Sequence, residues 1–285
     1  MQKNWKKELM ARQRASVVVE SGCEQAHGWH VAAEPGRKRP SLPVRPRVTA
    51  ASLAHRRIGY ALLSGSGIEI GPGLCPAQVP APARVRYCDV MAQAGWRRHF
   101  PELPEPSLAG IAEPDWLADI DLDGLAFLPK QSQDFVIANH LLEVVADPIA
   151  ALAELCRVLR PGGRLVISAS DKHYSQQPLR VPIDFATLLG RHQQGERAIV
   201  PDDYMDILRN VHPELVACDA ADLQHHLDRL QSRREHLRVW TSDLFEQFLE
   251  RALAVIGARC DRLLVFTGDQ THWEYFVVLA KDSDG

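Results

Sequence analysis

Ile68-Glu69-Ile70-Gly71-Pro72-Gly73 decides the fold. An apolar run that stops at a two-glycine turn is a strand end where a ligand can approach the backbone closely, because no side chain holds it off. About 65 residues on, Asp134-Phe135-Val136-Ile137-Ala138-Asn139 is a second apolar run, ending in a polar residue. A third, Arg157-Val158-Leu159-Arg160-Pro161-Gly162-Gly163-Arg164-Leu165-Val166-Ile167, is launched from a helix by a Pro-Gly-Gly stop. Together they read as three strands of one nucleoside-binding sheet.

Upstream, Ala51 to Leu63 reads as a helix leading to the turn Ser64-Gly65-Ser66-Gly67, with Ile68 to Ile70 as the first strand. The second strand is expected at Val85 to Cys88. Between them lies Pro76-Ala77-Gln78-Val79-Pro80-Ala81-Pro82-Ala83, with prolines where a doubly wound fold normally places its first crossover helix. A dinucleotide needs a helix N-terminus for its pyrophosphate. The missing helix, and Pro76 where GxGxxG would have its third glycine, therefore favour a phosphate-free nucleoside over NAD.

Met91 to Leu117 reads as a wrapped connection broken by prolines, and Ala118 to Leu122 as the third strand's end or the loop after it. The fourth strand is Phe135 to Ala138, and Asp147-Pro148 starts a helix running to about Leu159. Strand five is Arg164 to Ala169. The next stretch, about residues 172–238, breaks the sheet pattern with helical fragments, charges and histidines. An insertion at the carboxyl edge of a parallel sheet lies where ligands bind, so a cap is expected. Ser242 is the expected N-cap of a last helix, Leu244 to Ile256. Arg262 to Thr267 and Trp273 to Ala280 form a hairpin around Gly268-Asp269.

With 285 residues, 46% hydrophobic and 24% charged, the chain is expected to fold as one globular domain, residues 51–285, behind an arm at residues 1–50. That arm holds two basic clusters split by prolines and a net charge of +6, leaving −9 elsewhere. A mildly acidic main domain argues against a nucleic-acid substrate. No apolar run approaches the roughly 18–20 residues of a membrane span, and Val17-Val18-Val19 is too short for a signal-peptide core, so a cytoplasmic address is expected. Six scattered cysteines without a CxxC pair predict reduced thiols and no zinc site. His225-His226 and His236 lack metal-site spacing and are expected to be solvated or capping residues.

The combination of these strands, the glycine turn and the polar strand ends resembles the class I S-adenosylmethionine (SAM)-dependent methyltransferases. Gly71-Pro72-Gly73, the proline bypass, Val85-Arg86-Tyr87-Cys88-Asp89, Phe100-Pro101-Glu102-Leu103, Gln133 to His140, Asp171-Lys172-x-Tyr174 and Val239-Trp240-Thr241 are similar, in order, to a bacterial subfamily found beside glycosyltransferases. The resemblance implies an α/β, Rossmann-like seven-stranded sheet with an antiparallel last strand and a helical cap after strand five. It also implies SAM as cofactor and S-adenosylhomocysteine as product. The acceptor it implies is an oxygen of a saccharide or glycosylated small molecule in surface-glycan or natural-product assembly.

Glu69 would then organise the glycine loop formed by Gly71 and Gly73. Asp89, after the second strand, suits a residue that accepts from both ribose hydroxyls. Asp119 resembles the acid that reaches the adenine amino group, with Asp121 and Asp123 competing for the role and Ile120 beside it. Asn139 and His140 border the donor pocket. Many relatives have Leu-Glu-His after this strand, whereas here it is Leu142-Glu143-Val144. Transfer to a hydroxyl requires a base, for which His140, His173 and Asp171 are the candidates. The alternatives are a non-catalytic binding or scaffold protein on the same fold and, further off, a nicotinamide-dependent reductase.

Overall fold

The computed structural model describes residues 53–100, 108–175, 177–216 and 219–283. The expected arm at residues 1–50 lies outside them. The chain begins with α1 (Ala54–Tyr60), β1 (Ser66–Ile70), β2 (Arg84–Asp89), α2 (Gln93–His99), β3 (Trp116–Leu117) and β4 (Gln133–Asn139). It continues with α3 (Pro148–Val158), β5 (Leu159–Ser170), α4 (Phe185–Gln194), α5 (Met205–Val211), α6 (Pro213–Val216) and α7 (Ala220–Ser232). The last elements are α8 (Ser242–Val255), β6 (Cys260–Phe266), α9 (Gly268–Thr271) and β7 (Glu274–Lys281).

One seven-stranded sheet has the order β3-β2-β1-β4-β5-β7-β6. The first five strands are parallel, and β7 runs antiparallel to both β5 and β6. This is the α/β, Rossmann-like seven-stranded sheet with an antiparallel last strand expected from the sequence. Alternation along β4 sends Phe135 and Ile137 to one face and Val136 and Ala138 to the other, all fully buried. The larger cluster packs the sheet under α3 and α8. On the opposite face, Tyr60 and Leu63 at the end of α1 join Ala77 and Ala83 of the proline bypass. The bypass forms no helix, yet it shields part of the sheet face that a crossover helix would cover.

Several boundaries differ from expectation for local reasons. The first helix is shorter, Ala54–Tyr60. Strand β5 starts at Leu159 rather than Arg164: the pairing moves from Gln133↔Leu159 to Phe135↔Arg164, so the Pro-Gly-Gly segment loops out within the strand. Asp147 caps α3 as expected, its side chain accepting from the backbone N–H groups of Ile149 and Ala150. Thr241, not Ser242, caps α8. Ser242 Oγ instead donates to Asp171 Oδ2 at 2.7 Å and accepts from the Gly268 N–H at 2.7 Å. Cys75 is disulfide-bonded, correcting the reduced-thiol expectation at that position, while Cys88, Cys156 and Cys260 are free thiols.

The segment after β5 is helical, with α4 to α7 partly enclosing a small cluster of its own around Tyr204, Ile207, Leu208, Leu227 and Leu230. Asp184 caps α4, and Gly195, at φ 72°, ends it in the left-handed conformation. Buried Arg180 ties the segment down, donating to Asp206 Oδ2 (2.6 Å) and to the carbonyls of His236 (2.8 Å) and Leu237 (2.7 Å). Arg238 donates to the Leu142 and Val145 carbonyls, both at 2.7 Å. Residues 233–236 are thereby held over the carboxyl ends of the strands. Among the described residues, no helix is long and apolar enough to cross a membrane.

Candidate functional site

A cavity opens where β1, β2, β3 and β4 end, with 1210 Å³ of empty space when its open mouth is included. Its floor is the turn after β1. Gly71 and Gly73 adopt φ 65° and 53°, a conformation costly for residues with a side chain. The Gly71 N–H donates to the Cys88 carbonyl at 2.8 Å, fastening the turn to β2.

Glu69 is buried behind this turn and does not line the cavity. Its Oε2 accepts from the Ala77 N–H at 2.7 Å, tying down the first residues of the bypass, and its Oε1 lies 3.4 Å from Asn139 Nδ2. Burial pushes its pKa up to about 7, against these hydrogen bonds. Asn139 also donates to the Tyr60 hydroxyl (2.9 Å) and accepts from Ser168 Oγ (3.1 Å).

Asp89 ends β2 on the cavity wall. Burial raises its pKa to about 6, opposed by hydrogen bonds from the backbone N–H groups of Met91, Gly73 and Val90. Beyond β3, Asp119 and Ile120 also line the cavity. The three acids of this stretch differ in their partners. Asp121 is buried and accepts from the Ala146 N–H at 2.8 Å, while Asp123 accepts from the Asp119 N–H at 3.0 Å. Only Asp119 of the three faces the cavity, and its carboxylate is paired with Arg234 from the helical segment.

At the other end, His140 sits at φ 54° with both ring nitrogens engaged: Nδ1 is 3.0 Å from Glu143 Oε2 and Nε2 is 2.8 Å from Glu274 Oε2. Burial alone would favour the neutral ring, but the two carboxylates outweigh it and raise the pKa to about 9. Both nitrogens face buried partners, with Nε2 also 2.9 Å from Arg56 Nη2, which counts against His140 as a base. Asp171 and His173 do not line the cavity. Asp171 is a buried tie between β5 and α8, accepting from the Ser242 N–H and hydroxyl, and His173 is 65% exposed beside it.

Arg56, Glu274, Glu143 and His236 complete this end; the sequence reading gave the first three no role and expected His236 to be a solvated or capping residue, whereas it lines the cavity. Glu274 is wholly buried and accepts from Arg56 Nε (2.7 Å) and Nη2 (2.6 Å). It also lies 2.5 Å from His55 Nε2. A carboxylate at the head of the apolar run Tyr275-Phe276-Val277-Val278-Leu279 was the available signal, of the same kind that drew attention to Glu69. Arg56 and His236 are separated by 180 positions and converge only in space.

A family model described as "Methyltransferase domain" matches residues 107–167, which include β3, β4, α3 and the start of β5. That segment resembles a methyltransferase domain. Such a domain implies SAM as its cofactor. A malonyl-[acyl-carrier protein] O-methyltransferase of Hahella chejuensis is 33% identical over 133 residues, 38% of this chain and 44% of that protein. An uncharacterized 37.1 kDa protein in a Streptomyces fradiae transposon is 46% identical over 55 residues, 19% of this chain and 16% of that one. The matched segments thus span less than half of these curated relatives. Among solved structures, a SAM-dependent methyltransferase from Aquifex aeolicus is 14% identical, covering 78% of this chain and 85% of that one with a TM-score of 0.38. The YcgJ protein of Bacillus subtilis is 12% identical, covering 82% and 99%, with a TM-score of 0.42. Likenesses this distant carry no argument about chemistry.

Proposed function

We propose that the chain is a SAM-dependent methyltransferase whose methyl donor lies between Asp89 and Asn139. The observation that carries this reading is the grouping of the glycine turn, Asp89, Asp119, Ile120 and Asn139 around one cavity at the ends of four strands. In this reading Asp89 accepts from the ribose hydroxyls, Ile120 flanks the adenine and Asp119 faces its amino group. Gly71 and Gly73 let the methionine portion approach the backbone, and Glu69 holds the bypass behind them.

The residues fit a phosphate-free cation better than a dinucleotide. No helix occupies the stretch between Gly73 and β2, so no helix N-terminus is presented there to a pyrophosphate. Asp89 on the wall would repel phosphate and attract a cation. When bound, the cofactor supplies an activated methyl group; the protein's part is to align donor and acceptor and to manage the acceptor's proton.

The sequence resemblance extends this proposal to O-methylation of a saccharide or glycosylated small molecule, in the cytoplasm, during bacterial surface-glycan or natural-product assembly. Calorimetric titration with SAM, S-adenosylhomocysteine and NAD tests the cofactor reading. Binding of the first two and not the third is expected. No heat with SAM or S-adenosylhomocysteine would overturn it, and binding of NAD alone would restore the reductase.

A further inference from the structure

Two free thiols, far apart in the chain, meet at the end of the sheet opposite the cavity. Cys156, in the last turn of α3, is buried in the larger core cluster, and the partly exposed Cys260, the first residue of β6, packs against that cluster. Their side chains are hydrogen-bonded to each other, the Cys156 thiol donating to the Cys260 sulfur. Lys281 holds both neighbourhoods together. Its Nζ donates to the carbonyls of Cys156 and Leu159, both at 2.9 Å, while its backbone stands opposite Cys260 in the β6–β7 pairing. The next pairing inward, Arg164↔Ala280, is on the amino-terminal side of β5, whereas the cavity lies at the carboxyl ends of the parallel strands.

This contact gives the two sulfurs different chemistry. The hydrogen bond from Cys156, helped by the Lys281 ammonium, lowers the Cys260 thiol against its burial; the same hydrogen bond, together with burial, raises Cys156. The thiolate is the nucleophile in sulfur chemistry, so the thiol that ionises more readily is also the one that solvent reaches. The enclosed thiol stands beside it, placed to resolve an oxidised partner. Cys88 differs on each count: burial pushes its thiol up to about 12, and its hydrogen-bond partner is the backbone at Ala118. The backbone can also close the gap that remains. A disulfide draws its sulfurs to about 2.05 Å. Both cysteines sit at element ends, and Cys260 follows Gly257, which has φ 67° and open space around it.

We propose that Cys156 and Cys260 are an oxidant-sensitive modification site, a reversible disulfide that ties the edge strand β6 to α3. With hydrogen peroxide as oxidant, the Cys260 sulfur bonds one peroxide oxygen as the oxygen–oxygen bond breaks. The departing hydroxide takes the thiol proton and leaves as water, and Cys260 becomes a sulfenic acid. The Cys156 sulfur then attacks the Cys260 sulfur, and the displaced hydroxide takes the Cys156 proton, releasing a second water. Together the thiols lose two electrons and one peroxide is reduced. Neither cysteine lines the cavity, so the inference is independent of the methyltransferase reading.

The test treats the full chain with equimolar hydrogen peroxide, alkylates it in denaturant and maps its peptides by mass spectrometry without reduction. The expected product is a peptide linked through Cys156 and Cys260 within one chain, released by dithiothreitol, with Cys88 still open to alkylation. Cys260→Ser should abolish the link and leave Cys156 alkylatable. Cys156→Ala should instead hold Cys260 as a sulfenic acid, which dimedone captures. Should the buried Cys156→Ala not fold, the wild-type map and the partly exposed Cys260→Ser decide alone. In the linked protein, amide hydrogen exchange along β6 should slow by about tenfold or more. Oxidation of Cys260 without a link, a disulfide from Cys260 to a second chain, Cys88 reacting as fast as Cys260, or no reaction at all would each overturn the proposal. Unchanged exchange along β6 in the linked protein would overturn the tie to α3.

Discussion

Glu274→Gln removes one charge from the centre of the buried network, and its cost can be worked from the contacts. Glu274 is fully enclosed and takes two hydrogen bonds from Arg56, one contact from His140 and one from His55. Burial would raise its pKa, but Arg56, His140 and His55 together hold it well below the usual carboxylate range. Removing one partner of a buried pair leaves the other charge desolvated and costs about 3–5 kcal/mol. The pH dependence should change as well. Raising His140 from its ordinary 6.5 to about 9 corresponds to about 3 kcal/mol at most, fully present below pH 6.5 and lost as pH rises through about 9. With only Glu143 left beside it, His140 should titrate nearer its ordinary value, and the fall in stability between pH 6.5 and 9 should become shallower. Urea unfolding at pH 6, 7.5 and 9 measures both effects. Glu250→Gln is the control, because Glu250 is 59% exposed and sits 3.4 Å from Arg262, a pair worth less than about 1 kcal/mol. A loss below about 1 kcal/mol for Glu274→Gln at pH 7.5, or an unchanged pH slope, would refute the account of the network.

Other substitutions test the cofactor half of the cavity. Asp89→Asn should weaken SAM binding by about tenfold to a hundredfold, the worth of a charge-assisted hydrogen bond; unchanged affinity by calorimetry would remove Asp89 from the ribose role. Because Asp89 titrates at about 6, wild-type affinity should decline as pH falls through that value and the carboxylate takes up a proton, whereas a flat profile from pH 5 to 8 would contradict this. Gly67→Ala places a Cβ 2.3 Å from the Phe135 carbonyl oxygen between paired strands and should cost about 3 kcal/mol or more. Gly71→Ala meets nothing closer than 3.8 Å and carries only about 1–2 kcal/mol of left-handed strain, so the reverse order of melting temperatures would be wrong for this sheet. Glu69→Gln keeps an acceptor for the Ala77 N–H and should stay within about 1 kcal/mol of wild type, while Glu69→Leu orphans that donor and should lose about 1–3 kcal/mol in the same unfolding assay.

Much of the fold was legible because its signals are local. The runs Ile68 to Ile70, Phe135 to Ala138 and Leu165 to Ile167 are apolar because strands covered on both faces tolerate little else. Asp147-Pro148 reads as a helix start because a cap bonds to N–H groups two and three residues away. The bypass could be read as non-helical from its prolines, since the obstacle lies within each residue. Polar positions at strand ends were legible on the same terms: Glu69, Asp89 and Asn139 adjoin apolar runs.

Partners distant in the chain were not legible. Asp119 could not be separated from Asp121 and Asp123 until the fold gave Asp121 the Ala146 N–H and turned Asp119 to the cavity. His140 and His173 looked alike as histidines after strand ends. The fold buried one between two carboxylates and left the other outside the cavity. The sequence by itself determined the strands, the Asp147 cap and the non-helical bypass, because each depends on backbone rules and neighbours a few residues away. Only the tertiary structure decided which charges neutralise one another and brought His236 to the site, because electrostatic pairing depends on separation in space, and residues 56, 140, 143, 236 and 274 meet only once the sheet has closed around them.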